Sequence, residues 1–282
     1  MDKRKLEEKI FKVIMVVSLC IVMGALFSIL GIIFVKGASS LSVGMVTQTP
    51  TGGYYLGGGG GILNAIVGSL YLAAGGTLLA FFISLGVALY LQKEFAPAKV
   101  SHTIRFMLDV MWGIPPVVYG VFCFIIMIFL GIGTSLLGGI IALTLIEIPI
   151  MTRMMDESIS NVPLELKEAS YSLGSTKLDA ALYITPRQAL PGIISGVLIA
   201  FGRAVGTAAP LLYTTGTSNH IPSSLFDSAH SLPVMIFELT TSPIPEVRDR
   251  AYAAAFILLS IVLVVNLISR KLTKRVGAYV IR

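Results

Sequence analysis

The sequence predicts an all-α, polytopic integral membrane protein with six transmembrane helices. Three observations carry this. Of the 282 residues, 55% are hydrophobic and only 13% charged, with a mean hydropathy of +0.86, whereas a soluble domain carries about a quarter charged residues. Apolar stretches near the roughly 20 residues that cross a bilayer recur along the whole chain. Basic residues, finally, are dense in every second connecting segment and sparse in the others.

The spans fall at about 13–36, 63–91, 113–131, 135–153, 192–213 and 252–270. The first belongs to an apolar run from Ile10 to Val35, too long for a signal-peptide core and without a small-residue cleavage pattern, so it reads as a retained helix. Gly75 and Gly76 interrupt the second span and Gly138 and Gly139 open the fourth, which lets helices approach closely. A semi-apolar stretch, 103–112, precedes the third span and either lies at the interface or extends the helix. Pro115 and Pro116 kink or restart that span. Between the third and fourth, "LGIG" at 130–133 leaves room only for a tight turn. The chain reads as one domain, 1–282, with its core at about 60–270, an N-terminal helix at about 10–36 and a polar hairpin at 163–185.

Six spans put both termini on one side, and the basic residues choose which. One set of segments holds Lys3, Arg4, Lys5, Lys9 and Lys12, then Lys93, Lys99 and Arg105, then Arg153, Lys167, Lys177 and Arg187, and finally Arg270, Lys271, Lys274, Arg275 and Arg282. The opposite segments hold only Lys36, Arg248 and Arg250. Such asymmetry places both termini and the 154–191 segment in the cytoplasm. The net charge of +6 follows this membrane logic, so no nucleic-acid partner is expected. Cys20 and Cys123 fall in predicted spans without metal-site spacing and read as packing residues.

On the outer side, "TPTGGYYLGGGGGILNA" (49–65) reads as a flexible glycine-rich turn. The loop 214–251 is only half polar. Its "SLPVMIFELTTSP" (231–243) is either a re-entrant helix over the mouth of a path or plain packing between helices. His102, His220 and His230 are isolated and read as surface residues.

The polar 163–185 segment is the informative one. Pro163 suits a first helical turn and Glu165 its positive end. Leu166, Ala169, Ser170 and Leu173 recur at helical spacing, and Gly174 sits where a left-handed residue ends a helix. Thr176 with Asp179 forms a capping box that starts a second helix with the face Leu178, Ala181, Leu182 and Tyr183, and Pro186 ends it. This hairpin is either an interfacial anchor or a platform on which a partner pushes the span beyond Pro191.

The residues favour the platform. Glu168, Ala169, Gly174 and Ile184 stand in the register of the EAA loop of ABC-importer permeases, with Ser170 in place of the second alanine and Pro-Arg where a Leu-Pro is expected at 186–187. "LPG" at 190–192, with Pro191, adds to the likeness. Over a longer range, "GGILNAIVGSLYLAAGGTLLAFFISLGVALYLQKE" (60–94), "GIPPVVYGVF" (113–122), "NVPLELKEASYSLGSTK" (161–177) and "GRAVGTAAPLLYTTG" (202–216) resemble the phosphate-importer permeases of the Pst type, the A-subunit branch in particular. The resemblance runs from about 10 to 275. It implies a type I ABC-importer permease fold in a prokaryotic plasma (inner) membrane. The implied partners are a second permease subunit, of the Pst C type or a second copy, a pair of nucleotide-binding ATPase subunits and an extracytoplasmic phosphate-binding protein, besides the membrane lipid.

No Walker A pattern is present, so ATP and Mg are expected in the partner ATPase and no cofactor in this chain. The absence of H-E-x-x-H, of a Gly-x-Ser-x-Gly elbow and of any intramembrane His/Cys/carboxylate cluster argues against a membrane enzyme. A stand-alone secondary transporter or channel would need its own ion-coupling site, and few intramembrane acids and no inverted repeat are visible. Arg203, near the middle of the fifth span, must face the bundle interior or water. Its planar fork suits phosphate oxygens. It either lines an anion path, with Thr207 one turn on, or pairs structurally with Glu147, the one acid deep in another span. The Pst-type pattern has Gly-Glu-Thr-Ala-Pro where this chain reads Gly206-Thr207-Ala208-Ala209-Pro210, which keeps permeases for another small anion, sulfate or molybdate, in play.

Overall fold

The computed structural model describes residues 3–277; Arg282, counted above among the inner basic residues, lies outside them. The described residues are helical, with no strand. They form α1 (Lys3–Ser39), α2 (Val43–Thr47), α3 (Leu63–Tyr90), α4 (Ala98–Gly113), α5 (Pro116–Phe129), α6 (Leu136–Ser160), α7 (Leu164–Ser172), α8 (Lys177–Asp179), α9 (Thr185–Val205), α10 (Leu211–Thr214), α11 (Leu232–Thr240) and α12 (Pro245–Gly277). Helices α1, α3, α6, the run Lys177–Val205 and α12 are each long and apolar enough to cross a bilayer, and α4 with α5 makes a sixth, bent, candidate.

The bundle centres on α3 and α6. Both crossing glycines of α3 face α6: a Cβ on Gly75 would lie 2.6 Å from Ile140 Cδ1, and one on Gly76 2.9 Å from Leu143 Cβ. The expected close approach is therefore real; Gly139 serves it too, against Leu72 of α3, while Gly138 lies against Met127 of α5. Around this contact Leu72, Ala73, Ile140, Leu143, Ala204, Val205 and Leu211 form one buried cluster. A second, of Ala80, Ala88, Met151, Met155, Ile159, Ala189 and Ile193, fills the hairpin end of the bundle.

The structure decides the third span and changes the fifth. The third span is not one helix, for α4 and α5 meet at 96° across Ile114–Pro115. Pro115 and Pro116 cannot donate backbone hydrogen bonds, so α4 stops and α5 restarts with Pro at its first turn. The semi-apolar 103–112 stretch thus belongs to a separate helix. The fifth span begins earlier and breaks earlier than 192–213. Pro186 does not end the hairpin's second helix; a π turn at Ala180–Ile184 widens the backbone there, and the helix runs on from Lys177 to Val205. At the other end Gly206 to Pro210 leaves the helix before α10 resumes, since Pro210 lacks an N–H and disfavours helical backbone at Ala209. The α1 helix is peripheral, touching α12 through Phe34 on Phe256, ring centroids 5.5 Å apart, and Lys36 over Tyr252.

The opposite end also resolves. The glycine-rich 49–65 segment is a closed loop rather than an open turn. Its Pro50 and Gly60 pair, and Arg250 Nη1 donates to the Tyr54 carbonyl at 2.6 Å while its guanidinium covers the Tyr54 ring. Helix α11 packs between helices. Leu232, Met235 and Leu239 are buried with Tyr54, Ile62 and Ala251, and the Leu232 N–H donates to Ser69 Oγ at 2.7 Å. His230, expected at the surface, is fully buried between Tyr55 OH at 3.3 Å and Glu238 Oε2 at 3.2 Å.

Candidate functional site

Two places in the bundle gather the residues singled out from the sequence. One is a polar layer at mid-depth. Helices α6 and α9 run antiparallel: a Cβ on Gly192 would meet the Ser158 side chain, and one on Gly196 would lie 3.2 Å from Met154 Cβ. Continuing that register brings Arg203 level with Glu147, near the middle of α6. Glu147 is 2% exposed, and neither carboxylate oxygen has a hydrogen-bond partner. Thr77 of α3 faces it, also unpartnered, and Arg203 is the cation whose field reaches it. Thr144, one turn away, donates to the Ile140 carbonyl at 2.7 Å.

Arg203 itself is exposed on the chain, and no ion pair joins it to Glu147 or to another acid among the described residues. Thr207 has a local task. Its hydroxyl donates to the Arg203 carbonyl at 2.7 Å and, with the Gly206 N–H on the same carbonyl at 3.1 Å, finishes the helix. The arginine thus sits in the last turn before an unwound segment, a place where irregular backbone at membrane depth is tolerated because protein or water meets it.

The second place is the hairpin. The capping box forms as expected, with the Asp179 N–H donating to Thr176 Oγ1 at 3.1 Å and the Thr176 N–H to Asp179 Oδ2 at 3.0 Å. These bonds from Thr176 hold the Asp179 carboxyl below the ordinary carboxylate range. Gly174 has φ +87° and ends α7. The buried face is only partly the one the spacing suggested: Leu166 and Ser170 lie on it, Ala169 and Leu173 do not. Lys167 and Ser170 point inward, Ser170 hydrogen-bonding Ser175 across the turn, whereas Leu173 is 90% exposed. Leu178, Leu182 and Tyr183 are exposed with it, beside exposed Glu165, Glu168 and Ala169; Ile184 is half-buried at the end of the π turn, and Pro191 lies inside α9. The hairpin thus turns four large side chains outward.

Sequence reasoning missed a polar knot behind the hairpin. Lys167 Nζ donates to Glu94 Oε1 at 2.8 Å. Arg105 donates from Nε to Asp156 Oδ2 at 2.7 Å and from Nη2 to Oδ1 at 2.9 Å, and Gln92 Nε2 donates to the same Oδ1 at 3.2 Å. No spacing in one strip of sequence announces these pairs, because each joins residues 50 or more apart.

Residues 80–278 match the family described as binding-protein-dependent transport system inner membrane component. This chain belongs to that family. The inner-membrane component is 30% identical over 263 residues to the phosphate transport system permease protein PstA of Yersinia pestis, which covers 92% of this chain and 88% of that one. It is 35% identical over 210 residues to the phosphate transport system permease protein PstA 1 of Mycobacterium tuberculosis, 74% of this chain and 68% of the other. Among solved structures, a bacterial alginate ABC transporter in complex with an alginate pentasaccharide-bound periplasmic protein superposes with a TM-score of 0.69 at 15% identity, over 99% of both chains. The fold is that of a type I ABC-importer permease, and the component is a transport subunit rather than an enzyme.

Proposed function

We propose that this chain is a permease subunit of an ATP-driven importer of inorganic phosphate and supplies half of the translocation path. The observation that carries the reading is its likeness, along nearly its full length, to permeases of phosphate transport systems. Arg203 supports it. An arginine exposed at mid-membrane depth against lipid would cost at least about 2.5–3.5 kcal/mol, so that face meets water and a second permease subunit, either a different chain or another copy. There the guanidinium attracts phosphate handed over by an extracytoplasmic binding protein, while the lack of an enclosing cage lets the anion leave. Glu147 lies level with it, buried and unpaired on the inner side of the same layer.

The distribution of basic residues supports placing both termini and the hairpin in the cytoplasm of a prokaryotic inner membrane. There Leu173, Leu178, Leu182 and Tyr183, with Glu165 and Glu168, present the docking face for a separate ATPase pair, which binds ATP and Mg. The helix continuous from Lys177 to Val205 carries the push from that face to Arg203 without an intervening loop.

The test is uptake of labelled phosphate into vesicles holding this chain, its partner permease and the ATPase, with binding protein outside and ATP inside. Uptake that needs all of them, and that falls with loss of ATPase co-purification in Glu168→Arg, supports the reading. Uptake without the ATPase overturns it in favour of a channel, and sulfate or molybdate competing better than phosphate reassigns the anion.

A further inference from the structure

We infer that the Lys167–Glu94 ion pair is the joint through which the hairpin drives the cytoplasmic end of α3. The inference rests on the importer reading above. Lys167 lies in α7 next to Glu168, but its side chain turns away from the docking face: it is 8% exposed, with Nζ 2.8 Å from Glu94 Oε1. Glu94 stands in the segment just after α3. This contact ties the hairpin to a different element by a directional, charge-assisted bond.

Behind it the same segment is anchored again. Gln92, two residues before Glu94, donates to Asp156 of α6, and Asp156 takes the paired bonds from Arg105 of α4. Arg105 Nη2 also donates to the Leu91 carbonyl at 3.3 Å, and Arg153 of α6 meets Asp109 of α4 at 3.1 Å. A displacement delivered at Lys167 therefore reaches α3, α6 and α4 through consecutive polar bonds. It arrives in the middle of α4, and a small rotation of α4 re-aims α5 across the 96° bend at its C-terminal end.

Space for such movement exists. A cavity of about 650 Å³ opens beside the joint, lined by Glu94, Lys167, Arg105, Asp156, Arg153 and Trp112 among others. A tightly packed apolar contact transmits compression but slides under tension. An ion pair flanked by a cavity holds its partner in both strokes. Lys167 and Glu94 act as positioning residues, since neither touches the transported anion.

The experiment uses the assembled complex of permeases, ATPase and binding protein in proteoliposomes. ATP hydrolysis stimulated by loaded binding protein and phosphate uptake are measured together for the unmodified chain, Glu94→Gln, Lys167→Glu, Glu94→Lys and the charge swap Lys167→Glu with Glu94→Lys. The single variants are expected to keep the ATPase bound and hydrolysing while phosphate moved per ATP falls about fivefold or more, and the swap to recover most of that ratio, as contacting residues couple in double-mutant cycles. A merely structural pair would lower yield and both rates in parallel, with the ratio unchanged, and that result overturns the joint. So does a swap no better than its parents. Absence of ATP-dependent uptake by the unmodified complex, by contrast, overturns the importer reading itself.

Discussion

Arg203 and Glu147 lie at the same depth on antiparallel neighbours α9 and α6, yet no ion pair joins them. The carboxylate is buried without a hydrogen bond and the guanidinium faces out of the chain. If the cation serves an anion path, its charge and its fork contribute separately. Arg203→Ala is expected to lower phosphate uptake at least tenfold without reducing assembly. Arg203→Lys retains a point charge but loses the bidentate geometry and falls in between. Uptake rates at equal amounts of co-purified ATPase check this, and an alanine variant at full rate would remove Arg203 from the path.

Gly174 gives a sharper local test. Its φ of +87° is unfavourable for a side chain by about 1–2 kcal/mol, and nothing lies within 4 Å of where a Cβ would stand. The penalty is thus conformational alone. Gly174→Ala is expected to loosen the 164–184 hairpin, read as faster amide exchange there, and to weaken ATPase co-purification. Gly174→Asn, better suited to left-handed backbone, does so less.

The architecture was legible in the sequence because lipid leaves few options: every span needs a long apolar stretch and every backbone group an internal partner. The capping box, the glycine stop and the close approach at the α3 and α6 glycines were equally legible, being set by a few adjacent residues, whereas which helix meets which was not. What misled was one proline. Pro186 has the look of a helix end, but a π turn precedes it and the helix runs on, whereas Pro115–Pro116 restart the third span as they could be read to do, across a 96° bend. Lys167 was missed on the inward face of α7 because it is buried by a partner in a distant segment, and hydrophobic spacing does not register a lysine. His230 escaped for the same reason, since its burial depends on Tyr55 and Glu238.

The α3–α6 contact predicts opposite outcomes for two glycines of one helix. Gly76→Val would press a branched side chain into Leu143 Cβ at the bundle centre, whereas a Cβ on Gly86 meets nothing within 4 Å. Overpacking of this kind destabilises by about 1–3 kcal/mol. In a helix, alanine is preferred over glycine by roughly 0.5–1 kcal/mol. Thermal unfolding in detergent should therefore show a lowered midpoint for Gly76→Val and an unchanged or raised one for Gly86→Ala. A midpoint lowered equally by both would mean that close approach is not what α3 requires.

The Lys167–Glu94 pair carries a pH signature. Burial pushes the Glu94 carboxyl up, but the bond and charge of Lys167, its own backbone N–H and the more distant Lys177 together hold it below its ordinary value of 4.5. The unfolded segment therefore binds more protons than the folded one in this range, and stability rises with pH. The contribution is complete above about pH 5, declines once the pH drops below the ordinary carboxylate value, and is gone below the depressed one. Asp179, lowered by its bonds with Thr176, titrates in the same direction within the same hairpin. Amide exchange over 164–184, corrected for intrinsic rates, is thus expected to be flat from pH 7 to about 5 and to accelerate below. Glu94→Gln should abolish one part of that acid step and Asp179→Asn the other. A step that survives in the double variant would assign it to other carboxylates and leave the joint without its titrating half.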